Sequence, residues 1–163
     1  MRIKTTRFGT MEVQENLIIH FPSGLPGFED TRRFIIVPVD NNERLNWLQA
    51  VDDPSVALLV MDPFEFFQGY TCEIPPAEIE ELAATDRKDI LVLTALTVPR
   101  ENPAGVSANL LAPIVINTRQ KKAKQVILNN PLYTTKHNLF PQPISNPAGN
   151  SKEPSGSAGT RGV

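Results

Sequence analysis

The apolar positions of this 163-residue chain fall in short runs, not in long stripes. They are LIIHF (17–21), FIIVPV (34–39), WLQAV (47–51), VALLVM (56–61), ILVLTALTV (90–98), IVI (114–116) and QVIL (125–128). Branched side chains dominate them, and Gly, Pro, Asn or Asp bound most of them. Such runs predict strands, because a pleated strand crosses a small core in a few residues. IKTTRF (3–8) and MEVQ (11–14) flank Gly9-Thr10 and predict a hairpin. The whole pattern gives about eight or nine closely spaced strands with few helical gaps. The predicted fold is mostly β: a small antiparallel β-barrel-like domain, a sandwich being the alternative, with one or two short helices.

Two segments break the pattern. In PPAEIEELAAT (75–85), Ile79, Leu82 and Ala83 share one helical stripe. Pro76 suits a first helical turn, and Glu78, Glu80 and Glu81 lie toward the positive end of the helix dipole. This predicts a short, acidic, amphipathic helix. A second helical turn is expected at PFEFF (63–67). From Pro141 onward the chain is rich in Pro, Gly and Ser with almost no apolar mass. Such a tail buries too little surface to offset its ordering entropy, so 141–163 is expected to be disordered and 1–140 to be the domain.

The stretch HFPSGLPGFED (20–30) packs Pro22, Gly24, Pro26 and Gly27 between Phe21 and Phe28. It lacks the Lys and Ser/Thr of a phosphate loop. Pro26-Gly27 is the natural central pair of a type II turn, with Gly supplying a positive φ. Gly24 can relieve a second bend. Phe21 and Phe28 are expected to fold inward and cap one barrel end. No ligand is needed to account for these residues.

Charge is uneven although the net value is only −2. Residues 34–98 carry Asp and Glu in large excess over Lys and Arg, and residues 99–163 the reverse. Either the middle presents an acidic face to a basic partner, or the two blocks interleave once folded. The single cysteine, Cys72, excludes an intrachain disulfide and fits a reducing compartment. No run approaches the roughly 18 apolar residues of a membrane span, and the N-terminus has no secretory pattern.

Nothing assembles into a catalytic motif. His20 and His137 are the only histidines, without metal-ligand spacing, so neither a metal nor a cofactor is expected. No Gly-x-Ser-x-Gly elbow is present. Cys72 has no basic neighbour in sequence to activate it. Asp52-Asp53 and Asp62 precede prolines and read as turns. The segment 110–128 reads as a long hairpin, with Pro113 forcing an edge or a bulge. Its turn, 118–124, carries Arg119, Lys121, Lys122 and Lys124. Such a cluster can touch RNA, but no aromatics interleave with it and the net charge is negative, which favours a solvated hairpin tip. In DPFEFFQGY (62–70), Phe64, Phe66, Phe67 and Tyr70 crowd nine residues beside the acidic helix. Either most of them are core, or they form an aromatic patch rimmed by carboxylates, a protein-docking surface.

Taken together, IIHFPSGLPGFED (18–30), MDPFEFFQGY (61–70), SANLLAPIVINTRQKKAKQVIL (107–128) and YTTKHNL (133–139) resemble the FliW family of flagellar assembly factors. The resemblance covers roughly residues 1–140 and not the tail. It marks Phe21, Gly24, Pro26, Gly27, Phe28, Asn109, Pro113 and Asn117 as a structural signature. It implies a small cytoplasmic β-barrel protein that is not an enzyme and touches neither membrane nor nucleic acid directly. It also implies two protein partners. One is flagellin, held before export; the other is the translational repressor CsrA, which blocks flagellin mRNA. Release of flagellin frees such a protein to bind CsrA and lift repression, by an allosteric and electrostatic route away from the RNA-binding surface. On the residues' own chemistry, Phe64, Phe66, Phe67 and Tyr70 are the candidate apolar anchor, and Glu73, Glu78, Glu80 and Glu81 the candidate acidic face. The rival reading is an RNA-binding barrel that uses the 118–124 hairpin.

Overall fold

A computed structural model describes residues 1–140. The tail expected to be disordered, 141–163, lies outside the described residues. The chain forms β1 (Arg2–Thr5), β2 (Gly9–Glu12), β3 (Ile19–His20), β4 (Arg33–Val39), β5 (Asn42–Ala50) and β6 (Ala57–Met61). Two short helices follow, α1 (Pro63–Phe66) and α2 (Pro76–Glu81). Then come β7 (Ile90–Thr97), β8 (Ser107–Ala108), β9 (Ile114–Asn117), β10 (Lys122–Gln125) and β11 (His137–Asn138).

β1 and β2 make the expected two-stranded hairpin, but its turn is residues 6–8 and not Gly9-Thr10, which pair with Thr5 and Lys4 inside the ladder; all the other strands join one sheet. That sheet closes on itself: β7 pairs with β6, and the neighbours run through β5, β4, β3 and β10 to β9, which returns to β7. Closure removes the open edges that a flat sheet would expose. Every pairing in the ring is antiparallel except β3 with β10, which is parallel. β8 and β11 extend the sheet from the last residues of β7.

Period-two alternation sorts the side chains between inside and outside. Phe34 and Ile36 of β4, Leu48 and Ala50 of β5, Leu91 and Leu93 of β7, and Ile114 and Ile116 of β9 fill the barrel. The alternate residues pack outward under two separate covers. Ile35 and Val37 meet Ile3, Met11 and Val13 of the β1–β2 hairpin. Ile90 and Val115 meet the segment that carries α1 and α2, together with residues 126–139. Both faces of these strands are thus apolar, and this produces their continuous hydrophobic runs.

The bend at 21–28 performs as read, with one correction. Phe28 N donates to the Leu25 carbonyl at 2.7 Å, and Gly27 has φ +88°, a type II turn with Pro26 at its first central position. Gly24 (φ +65°) is required on steric grounds too, since a Cβ there would lie 2.5 Å from the Glu29 carbonyl oxygen. Phe21 is fully buried and meets Phe34 edge-on, with ring centroids 5.0 Å apart. Phe28, however, is 41% exposed. The tight turn aims it outward, so only one of the two phenylalanines caps the barrel.

The 110–128 hairpin is shorter than its sequence suggests. Asn117 pairs with Lys122, so the turn is residues 118–121, and Lys122 and Lys124 lie within β10 itself. Residues 126–128 run on as irregular chain, bonded from Val126 N to the Pro113 carbonyl and from Leu128 N to the Leu111 carbonyl. β9 begins only after Pro113, which has no N–H to give a ladder. The Asn109 side chain accepts from Ala112 N, and Asn117 is buried and accepts from Arg119 N and Gln120 N. Asn117 also donates to the Leu82 carbonyl, which ties the hairpin turn to the end of α2.

α2 ends earlier than its apolar stripe predicts. Leu82 is buried and Ile79 half-buried, but Ala83 has φ +58° and is exposed. Ala83 N donates to the Glu80 carbonyl, and Ala84 N to the Ile79 carbonyl, the paired bonds of a Schellman cap. An alanine therefore occupies a left-handed position that normally favours glycine.

Candidate functional site

The segment 62–82 lies against the outer wall of β7 and β9. Asp62 starts it by capping α1: its Oδ1 accepts from Phe64 N at 2.8 Å, with Pro63 in the first helical position. The four aromatics then divide. Phe67 and Tyr70 are buried among Met61, Leu82, Leu110 and Val126. The Tyr70 hydroxyl donates to the buried Leu110 carbonyl at 2.8 Å, and burial raises its pKa well above the ordinary phenol value. The Tyr70 ring lies 4.8 Å from that of Tyr133, whose hydroxyl accepts from Thr71 N. The His137 ring stands edge-on to Phe67 and Tyr133, and its Nε2 accepts from Thr134 N. Burial lowers its pKa. Phe66 is half-buried, with the Arg44 guanidinium 5.7 Å from its ring centre. Phe64 alone presents a largely open ring, 48% exposed. The expected four-ring patch is therefore one exposed ring on a buried aromatic base.

The carboxylates divide as well. Lys124 reaches from β10 to Glu78 at 2.5 Å and Glu81 at 3.1 Å. The Glu78 hydrogen bond, opposed by burial, raises the lysine's pKa and holds it protonated. Glu73 and Glu80 are exposed and have no ion pair among the described residues. The acidic face expected from four glutamates thus retains two free ones. The same contact breaks up the basic hairpin. Lys124 turns to α2, Lys121 donates to its neighbour Thr118's carbonyl at 2.6 Å, and Arg119 lies 3.9 Å from Asp89. The clustered cations that an RNA site requires are spread over different partners.

Between this segment and β7 runs a groove of about 660 Å³. Phe64, Ile74, Ile79, Ile90 and Val92 give it an apolar floor. Glu73, Asp86 and Arg87 supply its charged lining. Ile90 and Val92 are outward-facing residues of β7; both are half-buried, and Ile90 also packs against the covering cluster. Cys72 also lines it, and burial pushes its thiol pKa up to about 11, which favours the neutral thiol over the nucleophilic thiolate. Sequence reasoning missed β7's contribution, Lys124's role as counter-charge, and the Tyr133–His137 support. The alternation within ILVLTALTV was a signal for the first; no local signal marked the other two.

Among the described residues no three His, Cys, Asp or Glu side chains converge as a metal site. No described helix is long and apolar enough to cross a membrane.

Comparison with known proteins agrees. The FliW protein family matches residues 2–139. Flagellar assembly factor FliW of Moorella thermoacetica is 42% identical over 145 residues, which are 89% of this chain and 92% of that one. The Alkaliphilus metalliredigens protein of the same name is 40% identical over 86% of each chain. A crystal structure of the flagellar assembly factor FliW superposes with a TM-score of 0.81 at 34% identity, covering 88% of this chain and all of that one. With the fold, the length and the sequence all in agreement, the chain belongs to the FliW family of flagellar assembly factors.

Proposed function

We propose that this protein is a non-catalytic, cytoplasmic regulator of flagellin synthesis and flagellum assembly. It binds flagellin before export and, once flagellin leaves, binds and antagonises CsrA, which relieves repression of flagellin mRNA. The observation that carries this reading is the groove beside α2, where an apolar floor and an exposed Phe64 adjoin the unpaired carboxylate Glu73, with the unpaired Glu80 following the lining residue Ile79 along α2. An apolar centre with charge at its rim is the anatomy of a protein interface. A repressor that holds RNA must present basic residues, and a carboxylate rim attracts them. Once docked, that rim repels phosphate. Each charge pair contributes only about 0.4 kcal/mol at roughly 10 Å in water. A tenfold loss of RNA affinity needs about 1.4 kcal/mol, so several pairs acting together suffice.

The test is a calorimetric titration with CsrA, repeated in the presence of monomeric flagellin. Flagellin is expected to suppress the CsrA signal. Glu73→Lys/Glu80→Lys is expected to weaken CsrA binding at least tenfold while leaving the melting temperature unchanged. These two positions are better probes than Glu78 and Glu81, because reversal of the latter breaks the contact with Lys124 that fastens α2 to the barrel. Unchanged affinity in the Glu73/Glu80 variant would remove the acidic rim from the mechanism. Failure to bind either protein would overturn the whole reading.

A further inference from the structure

The chain leaves one strand edge uncovered where β10 runs past the barrel rim. β10 meets β3 at a single bridge, Lys122 with His20, so beyond that point its ladder partner is β9 alone. Extended pairing then continues after β10 ends. Val126 N donates to the Pro113 carbonyl at 2.9 Å, and Leu128 N to the Leu111 carbonyl at 2.8 Å. These bonds keep the β9–β10 register, which sets Ile127 opposite Ala112.

In an antiparallel ladder the backbone groups of successive residues point alternately toward the partner strand and away from it. Val126 and Leu128 bond inward, so Ile127 and Asn129 present their N–H and carbonyl groups outward. Neither residue has a backbone hydrogen bond among the described residues. The side chains alternate too. Val126 and Leu128 are buried in the cluster that covers β7 and β9, whereas Ile127 is 72% exposed and Asn129 is exposed. Open edges are ordinarily blunted by a charge, a proline or a bulge, because they invite a further strand. The run 125–130 holds no charged residue and no proline; Pro131 is the first. An apolar side chain on an unblunted edge is a surface shaped for another strand.

Extended chain alone supplies donors and acceptors at the spacing of residues 127 and 129. An apolar or β-branched residue opposite Ile127 covers its side chain. Charge narrows the occupant further. From residue 102 to residue 140 the chain holds no Asp or Glu, but it holds Arg119, Lys121, Lys122, Lys124 and Lys136. Glu78 and Glu81 neutralise Lys124, whereas Lys122, on the same face of β10, has no ion pair among the described residues. In antiparallel register, a carboxylate three residues after the one facing Ile127 stands opposite Lys124 and diagonal to Lys122. A second copy of the same edge brings cations and no carboxylate, so it is the poorer fit. We propose that the edge at 125–129 docks an extended, acidic segment of another protein, which joins the sheet as an antiparallel strand centred on Ile127. The site shares no lining residue with the groove beside α2 and takes a partner segment of opposite charge.

The full chain is titrated with N-acetyl-Thr-Thr-Val-Thr-Thr-Glu-amide while its backbone amides are followed by NMR. Saturable shifts are expected at Ile127 and Asn129, with slowed hydrogen exchange of both. Methylating the peptide's valine nitrogen removes a group that faces the edge and should weaken binding about tenfold or more. Methylating the next nitrogen, which faces solvent, should leave binding unchanged. Replacing the peptide's Glu by Gln should weaken it about threefold at low salt, as expected of one exposed ion pair. Ile127→Pro removes the outward N–H, which has no acceptor within the chain, and should abolish the shift at Asn129 while the melting temperature is kept. The methylated peptides carry the same test without altering the protein. Equal binding of the two methylated peptides, or no saturable shift, would overturn the proposal. So would concentration-dependent dimerisation that Ile127→Pro abolishes, since the edge would then be filled by a second copy. Loss of CsrA binding in Glu73→Lys/Glu80→Lys leaves this titration unaffected, so the two readings stand or fall separately.

Discussion

The bend at 21–28 and the segment at 62–70 look alike in sequence. Each mixes phenylalanine, proline and glycine, and each sends much of its aromatic mass inward. Each also leaves one ring outside: Phe28 at 41% and Phe64 at 48% exposure. What separates them is the surroundings. Phe28 ends a tight turn, with Glu29 folded back onto Gly27 N at 3.0 Å. Phe64 lies 5.4 Å from the Tyr70 ring, on the wall of a groove with an apolar floor and an unpaired glutamate. An exposed aromatic is common on any protein; one that continues into uncovered apolar surface is a docking candidate.

This contrast between a bend that serves architecture and a segment that we propose also docks a partner can be pressed experimentally. The largest effect is expected at Gly24. In Gly24→Ala, left-handed strain adds to a backbone collision, and a loss of about 3 kcal/mol or more in urea unfolding is expected. Gly27→Ala has the same strain with open space around its Cβ, so about 1 kcal/mol is expected. Equal losses would remove the steric account of Gly24. Next comes Tyr70→Phe, which leaves the buried Leu110 carbonyl without its donor. The expected cost is about 1–2 kcal/mol, read from the same unfolding curves. A neutral result would mean that another donor replaces the hydroxyl.

A smaller effect of opposite sign is expected at Ala83→Gly. Glycine relieves the left-handed cap that closes α2 and should stabilise by about 0.5–1 kcal/mol. Destabilisation there would argue against the Schellman geometry. Smallest in stability, and most telling, is the pair Phe64→Ser and Phe28→Ser. Both should stay within about 0.5 kcal/mol of the parent. Only Phe64→Ser should reduce capture of the protein partner in a pull-down. If Phe28→Ser reduces capture equally, the distinction between the two regions collapses.

The strands were legible where alternation or branched runs carried them: β4, β5, β6, β7 and β9 fall within or across the apolar runs. The β1–β2 hairpin was legible but its turn was misplaced, since Gly9 and Thr10 pair with Thr5 and Lys4 and the chain reverses at residues 6–8; the 25–28 turn was legible from Pro26-Gly27. α1 and α2 were legible through their prolines and acidic first turns. Boundaries failed where tertiary contacts set them. α2 stops at Glu81 because the chain turns left-handed at Ala83, a residue that gives no turn signal. β10 falls on KAKQ rather than QVIL, because pairing of Lys122 with Asn117 sets the register, and hydropathy alone cannot count turn residues. Of the candidate site, Phe64, Glu73 and Glu80 reach the surface as expected, while Phe67, Tyr70 and Glu78 are taken up by packing and by Lys124.

The amino-acid order by itself determined a mostly β domain, its Pro26-Gly27 turn, and the family to which it belongs, since these rest on local propensity, on periodicity and on linear motifs. Folding decided which aromatics remain outside and which charges remain unpaired. Both depend on neighbours far along the chain: Leu110 and Tyr133 for the rings, Lys124 for the glutamates. A side chain's exposure and net charge are properties of its whole surroundings, and sequence distance does not measure those.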